Sequence, residues 1–156
     1  MRAYWEPDSI KRQKEAKKIL NDLPEWFGLP ESTREYIANT KQLDTLFIEL
    51  NNEVVAFLSI KKTAEKTAEI DCMGVLKSVH RKGAGQKLIE EAIQWCRQNQ
   101  LLFLQVKTLA QTHPDPYYKK TRAFYHKNNF IDVEVFPELW GIENPCLQLI
   151  RCVEEQ

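Results

Sequence analysis

The run Val75–Trp95, VLKSVHRKGAGQKLIEEAIQW, constrains this chain more than any other stretch, because it passes from a strand through a basic loop into a helix. Beyond Gly83 and Gly85, the residues Leu88, Ile89, Ala92, Ile93 and Cys96 recur at the spacing of one buried helix face. Glycine at such a joint removes side chains where the phosphates of a ligand would approach the backbone. The N–H groups of the first helical turn have no intrahelical partner, and the helix dipole favours an anion there. His80, Arg81, Lys82 and Lys87 crowd this loop and first turn, and no carboxylate follows them before Glu90. Cations at the positive end of a dipole are repelled, which an anion between them would relieve. A solvated basic turn with a helix-initiating glycine pair carries the same residues, so the loop alone leaves both readings open.

Two phosphate-binding signatures fail. A P-loop needs Lys and then Ser or Thr after its second glycine, where this chain reads Gln86-Lys87-Leu88. A dinucleotide fingerprint needs a third glycine at the position of Leu88. The segment His80-Arg81-Lys82-Gly83-Ala84-Gly85 instead resembles motif A of the GNAT N-acetyltransferase superfamily, with His80 standing where the family has Arg or Gln. The resemblance implies that acetyl-CoA lays its pyrophosphate on His80, Arg81, Lys82, Gly83, Ala84, Gly85, Gln86 and Lys87.

A chain of 156 residues supports one domain with a sizeable core, expected over residues 1–156. Lys plus Arg and Asp plus Glu number 22 each, which argues against binding nucleic acid by bulk electrostatics. Cys72, Cys96, Cys146 and Cys152 show no C-x-x-C spacing and no pairing with histidines, so neither a disulfide framework nor a structural metal is expected. No signal peptide and no membrane span are legible, and the expectation is a cytoplasmic protein, monomer or homodimer.

In chain order, residues 2–6 read as a strand and 9–21 as a helix capped by Asp8 or Ser9, with Ile10, Ala16, Ile19, Leu20 and Leu23 inward. Pro24, Gly28 and Pro30 mark a loop that displays Trp26 and Phe27. Ser32-Thr33-Arg34-Glu35 predicts a capping box that starts a second helix to about Lys41. Strands over 44–50 and 54–61 meet at a turn over Asn51-Asn52-Glu53, and a polar turn over Lys62–Lys66 precedes the strand that leads into the glycine loop. After the 83–99 helix, the apolar run 101–110 predicts a strand buried on both faces. A helix over 117–128 and strands over 130–136 and 146–153 complete the chain. This is an α+β order. It resembles the GNAT order, which implies a mixed central sheet of about six to seven strands flanked by about four helices.

Two further segments carry the resemblance. Thr121 to Phe130, TRAFYHKNNF, is similar to the family's motif B, with Phe124, Tyr125, Lys127 and Phe130 matching and Thr121 and Asn129 standing for Ala and Gly. The resemblance implies coenzyme contact at Thr121 and Tyr125, with the Tyr125 hydroxyl protonating the departing thiolate; the alternative is a core aromatic. Residues 68–75, AEIDCMGV, resemble the central strand of the histone-acetylating branch, which implies Glu69 as general base, coenzyme contacts at Met73 and Val75, and a backbone N–H near Val75 as oxyanion donor. Alternation places Glu69 and Asp71 on one face of that strand, Asp71 in support of the base and of the acceptor. Burial beside Ile70 and Met73 is expected to make Glu69 a stronger base; the bland alternative is a solvated strand end.

An alkyl amine with a pKa near ~10.4 is neutral, near pH 7, on the order of one part in a thousand. Holding it deprotonated is therefore worth up to ~4 kcal/mol of barrier. The function implied is direct acetyl transfer from acetyl-CoA to a primary amine, on a small molecule or a protein, with Trp26, Phe27, Glu69 and Asp71 on the acceptor side and no metal. Acidic Glu25, Glu31, Glu134 and Glu138 would suit a cationic acceptor. The run LWGIENPCLQLI resembles that of bacterial members of the superfamily. A coenzyme A-binding regulatory module without catalysis is the alternative.

Overall fold

A computed structural model describes residues 1–154; Glu155 and Gln156, at the end of the expected domain, lie outside the described residues. The elements are β1 (Arg2–Trp5), α1 (Ser9–Asn21), α2 (Pro30–Asn39), β2 (Asp44–Leu50), β3 (Glu53–Ala64), β4 (Thr67–Val75), a 3₁₀ turn (Lys77–Val79), α3 (Ala84–Gln98), β5 (Phe103–Leu109), α4 (Pro116–Lys127), β6 (Ile131–Phe136) and β7 (Cys146–Cys152). The strands make one seven-stranded sheet in the order β1-β2-β3-β4-β5-β7-β6. The neighbours β4 and β5 are joined through a helix, the crossover that a parallel pair needs, whereas β1–β2, β2–β3, β5–β7 and β6–β7 are antiparallel. The expected mixed sheet with four helices is therefore present among the described residues. By backbone contacts the chain forms two compact units, Met1–Lys61 with Ile70–Trp95, and Lys62–Glu69 with the chain from Cys96 onward.

In the first unit, Asp8 caps α1 by accepting hydrogen bonds from Ile10 N at 2.9 Å and Lys11 N at 3.3 Å. Ala16, Ile19 and Leu20 of α1 are buried and pack with Leu23, Phe47, Val54, Phe57 and Cys72. Ile10, expected inward, is 75% exposed. It lies two and a half helical turns before Ile19 at ~3.6 residues per turn, on the opposite side of the helix. Gly74 of β4 admits this helix closely, since a Cβ there would sit 3.0 Å from Ile19 and 3.2 Å from Leu23.

The turn between β2 and β3 has Asn51 at φ 52° and Asn52 at φ 65°, two left-handed residues as a two-residue hairpin requires. The expected capping box is absent. The helix α2 begins at Pro30, whose fixed φ suits a first helical position, and the Thr33 hydroxyl donates to Phe27 O and Leu29 O at 3.2 and 3.1 Å. The strand β3 also runs past Lys61 to Ala64, so the turn after it is shorter than the polar composition of 62–66 suggests.

In the second unit, β5 alternates instead of being buried on both faces. Leu104, Val106 and Thr108 are buried, Gln105 and Lys107 half-buried, and Phe103 exposed. Asp115 caps α4, and the Arg122 guanidinium donates to Leu109 O at 2.8 Å. Asn129 follows α4 at φ 69°, a left-handed conformation in which Asn can stand for glycine.

Candidate functional site

The basic loop grows out of β4 and is fixed where it leaves that strand. Leu76 N bonds to Val55 O at 2.9 Å, and Lys77 N to the Asp22 carboxylate at 2.8 Å. The Lys77 ammonium pairs with Glu25, so Glu25 serves the loop's own anchorage and is not a spare charge for a cationic acceptor. The His80 ring folds back with Nε2 2.6 Å from Val75 O, and Trp26 stands edge-on to that ring at 5.8 Å between centroids. Arg81 at φ 63° and Gly83 at φ 88° are both left-handed, and α3 starts at Ala84, one residue after the expected start.

The loop fits a diphosphate. A Cβ built on Gly83 would meet nothing within 4 Å, so the loop presents open backbone on that side. The first turn of α3 carries no acidic residue, and Arg81 and Lys82 are exposed. Ala84 is buried and can offer only its backbone. The Gln86 side chain lies along its helix, donating to Glu90 at 3.2 Å, and Lys87 N closes the first helical bond to Gly83 O at 3.0 Å. These positions could hold the pyrophosphate of coenzyme A through backbone N–H groups, with Arg81, Lys82 and Lys87 as counter-charges.

Glu69 of β4 is 6% exposed and forms an ion pair with Lys107 of β5. A carboxylate this buried requires such a partner or its charge is unfavourable. The expected burial is present, and to it the structure adds a cationic partner that the expectation did not include. Sequence reading missed Lys107, although Gln105 and Lys107 at alternate positions of an otherwise apolar run are the mark of one polar strand face.

Asp71, two residues on, takes other partners: Lys61 Nζ at 3.4 Å and the Asn39 side-chain N–H at 3.2 Å. Its side chain is 8% exposed. Trp26 and Phe27 are half-buried and pack against the core cluster of α1, Phe27 edge-on to Tyr36 at 6.1 Å. Both thus touch the core whatever else they line. Tyr125 is 5% exposed, with its ring against Phe124 and Phe130 at 5.4 Å each. The Thr121 hydroxyl donates to Tyr117 O within α4 at 3.4 Å. Met73 and Val75 are half-buried in β4.

Among the described residues, no cluster of His, Cys, Asp or Glu could hold a metal ion, and no helix is long and apolar enough to cross a membrane.

Residues 13–130 match the model of the Acetyltransferase (GNAT) family. A GNAT-family protein from Desulfovibrio desulfuricans superposes with a TM-score of 0.82 at 14% identity, over 98% of this chain and 99% of its own. An aminoglycoside 6′-N-acetyltransferase complexed with coenzyme A gives 0.77 at 15%, over 100% and 99%. The ribosomal-protein-S18-alanine N-acetyltransferase from Escherichia coli gives 0.74 at 14%, over 99% and 96%. At these identities the likeness is one of fold. No curated protein matches the chain in sequence.

Proposed function

Because the chain belongs to the GNAT acetyltransferase family, we propose that it moves an acetyl group from acetyl-CoA to a primary amine by direct transfer. The observation that carries this reading is the left-handed, open-backed loop at Arg81 and Gly83, feeding a helix with no acid in its first turn. Acetyl-CoA supplies the acetyl group as an activated thioester. The backbone of 83–86 and the side chains of Arg81, Lys82 and Lys87 hold its pyrophosphate, and the Val75 N–H donates toward the reacting carbonyl oxygen.

Glu69 accepts the proton of the incoming ammonium, directly or through a water. Lys107 is a positioning residue that fixes the carboxylate by a charge-assisted bond. Tyr125 returns a proton to the leaving sulfur, and Trp26, Phe27 and Asp71 lie on the acceptor side. A second reading, a coenzyme A-binding module without turnover, is favoured by one observation: the base is already bound to an ammonium.

A panel of primary amines assayed for thiol release decides between them. Release with at least one amine, lost in Glu69→Gln, is the expected result. Coenzyme binding without release for any amine would leave the module reading standing.

A further inference from the structure

We propose that the cavity beside Asp71 recognises the headgroup of a free α-amino acid, taking its ammonium and its carboxylate together. The cavity has a volume of about 140 Å³ and is lined by Asn39, Gln42, Leu43, Lys61 and Asp71. One water needs only roughly 10–15 Å³ on this kind of measure, so there is room for a ligand of several heavy atoms. All five residues belong to the first compact unit: the end of α2, the loop after it, β3 and β4.

The charges select the class. The wall carries one carboxylate, one ammonium, two amides and one aliphatic side chain, so its net charge is zero. A polyamine or amino sugar entering with two or more positive charges would gain Asp71 and meet Lys61. An acidic ligand without an amine would gain Lys61 and meet Asp71. A ligand with both signs on adjacent atoms opposes each charge with its complement.

The geometry leaves room for that exchange. Lys61 Nζ stands 3.4 Å from Asp71 Oδ1, longer than the roughly 2.7–2.9 Å of a tight ionic hydrogen bond. Asn39 meanwhile fixes the other oxygen, Oδ2, at 3.2 Å. The Asp71 side chain is 8% exposed and held in place, while that of Lys61 is 40% exposed, on the side from which a ligand carboxylate would reach it. The amino acid then completes an alternating row of Asp71 carboxylate, ligand ammonium, ligand carboxylate and Lys61 ammonium. Leu43 gives the wall its one aliphatic surface, and Gln42 offers both donor and acceptor.

This inference rests on the acetyltransferase reading only for the fate of the ligand, which would be the acetyl acceptor. Binding is tested apart from turnover, by calorimetry and ligand-observed NMR on the full chain with and without coenzyme A. The probes are the twenty L-amino acids, then two analogues of the best one, lacking either the carboxylate or the amine, and spermidine as a polycation. At least one amino acid is expected to bind at least tenfold tighter than either analogue and than spermidine. Asp71→Asn and Lys61→Met should each weaken it at least tenfold, with melting curves to check folding. Binding of no amino acid overturns the proposal, as does equal or tighter binding of the amine-only analogue or spermidine. The analogue series on the unaltered protein decides even if both variants misfold. Thiol release with some other amine alongside absent amino-acid binding sinks this inference alone, whereas amino-acid binding without thiol release from any amine sinks the acetyltransferase reading alone.

Discussion

The Nε2 nitrogen of His80 lies 2.6 Å from the carbonyl oxygen of Val75. A carbonyl only accepts, so this nitrogen carries the proton that binds His80 to the end of its own strand. The first residue of the basic loop therefore braces the loop from within. An Arg or Gln there, as in the family motif, would reach further.

His80→Ala should for that reason act mainly on the fold. Loss of one such bond amounts to about 1 kcal/mol of stability, and coenzyme A affinity measured by calorimetry should change by less than about tenfold. A larger loss of affinity with an unchanged melting temperature would make His80 a ligand contact.

Gly83 and Gly85 should respond differently to alanine. Gly83 sits at φ 88°, where a Cβ adds strain of roughly 1–2 kcal/mol, and the Cβ also enters the open side of the loop. Gly85 lies inside α3, where alanine favours the helix by up to ~1 kcal/mol. Gly83→Ala is expected to lower both stability and coenzyme affinity, and Gly85→Ala to keep the affinity. Equal affinities in all three proteins would remove the loop from the binding site.

Glu69→Gln should reduce turnover about 10²–10⁴-fold, with partial rescue at high pH where free amine is abundant. Lys107→Met leaves a buried carboxylate without its cation and should destabilise the fold by roughly 3–5 kcal/mol. Combining Glu69→Gln with Lys107→Met should recover much of that stability but none of the turnover. Turnover undiminished in Glu69→Gln would assign the base elsewhere, with Asp71→Asn, expected to act on acceptor KM, as the comparison.

Tyr125→Phe should lower turnover by about 10²-fold with coenzyme affinity unchanged, if the hydroxyl is the acid. A variant as fast as the parent returns this ring to its role against Phe124 and Phe130.

The cysteines give a pH dependence with a definite sign. Burial pushes the Cys96 and Cys146 thiols up to about 11 from 9.0, and raises Cys72 well above its ordinary value. The unfolded chain sheds these protons as pH passes 9.0, while the native chain keeps them until about 11. Their contribution to stability is therefore complete below 9.0 and is lost on the way to about 11, a fall that urea titrations at either end will register. At neutral pH a thiol reagent should modify exposed Cys152 rapidly and the other three only on unfolding.

Much of the fold could be read because local signals and burial agree. Asp8 as cap, the paired asparagines 51 and 52, and Asn129 after α4 are positions where backbone geometry dictates residue type. The errors fall where two local signals compete. Pro30 started α2 ahead of the Ser32–Glu35 pattern, and Ile10 is apolar but on the wrong side of its helix. The partners of the candidate carboxylates were not legible, because Lys107 and Lys61 reach Glu69 and Asp71 across strands, 38 and 10 residues away. No pattern within one segment reports such a pairing.

The edge-on contact of Trp26 with His80 makes the loop optically readable. Indole emission shifts with the polarity around the ring. Trp5 and Trp95 lie against each other at 6.2 Å between centroids, and Trp140 is exposed, so Trp26 is the indole that touches the basic loop. Replacing the other three by phenylalanine would leave a one-tryptophan protein whose fluorescence follows the surroundings of the loop without any added dye. An anion settling on the loop would then be visible in a stopped-flow trace as it happens.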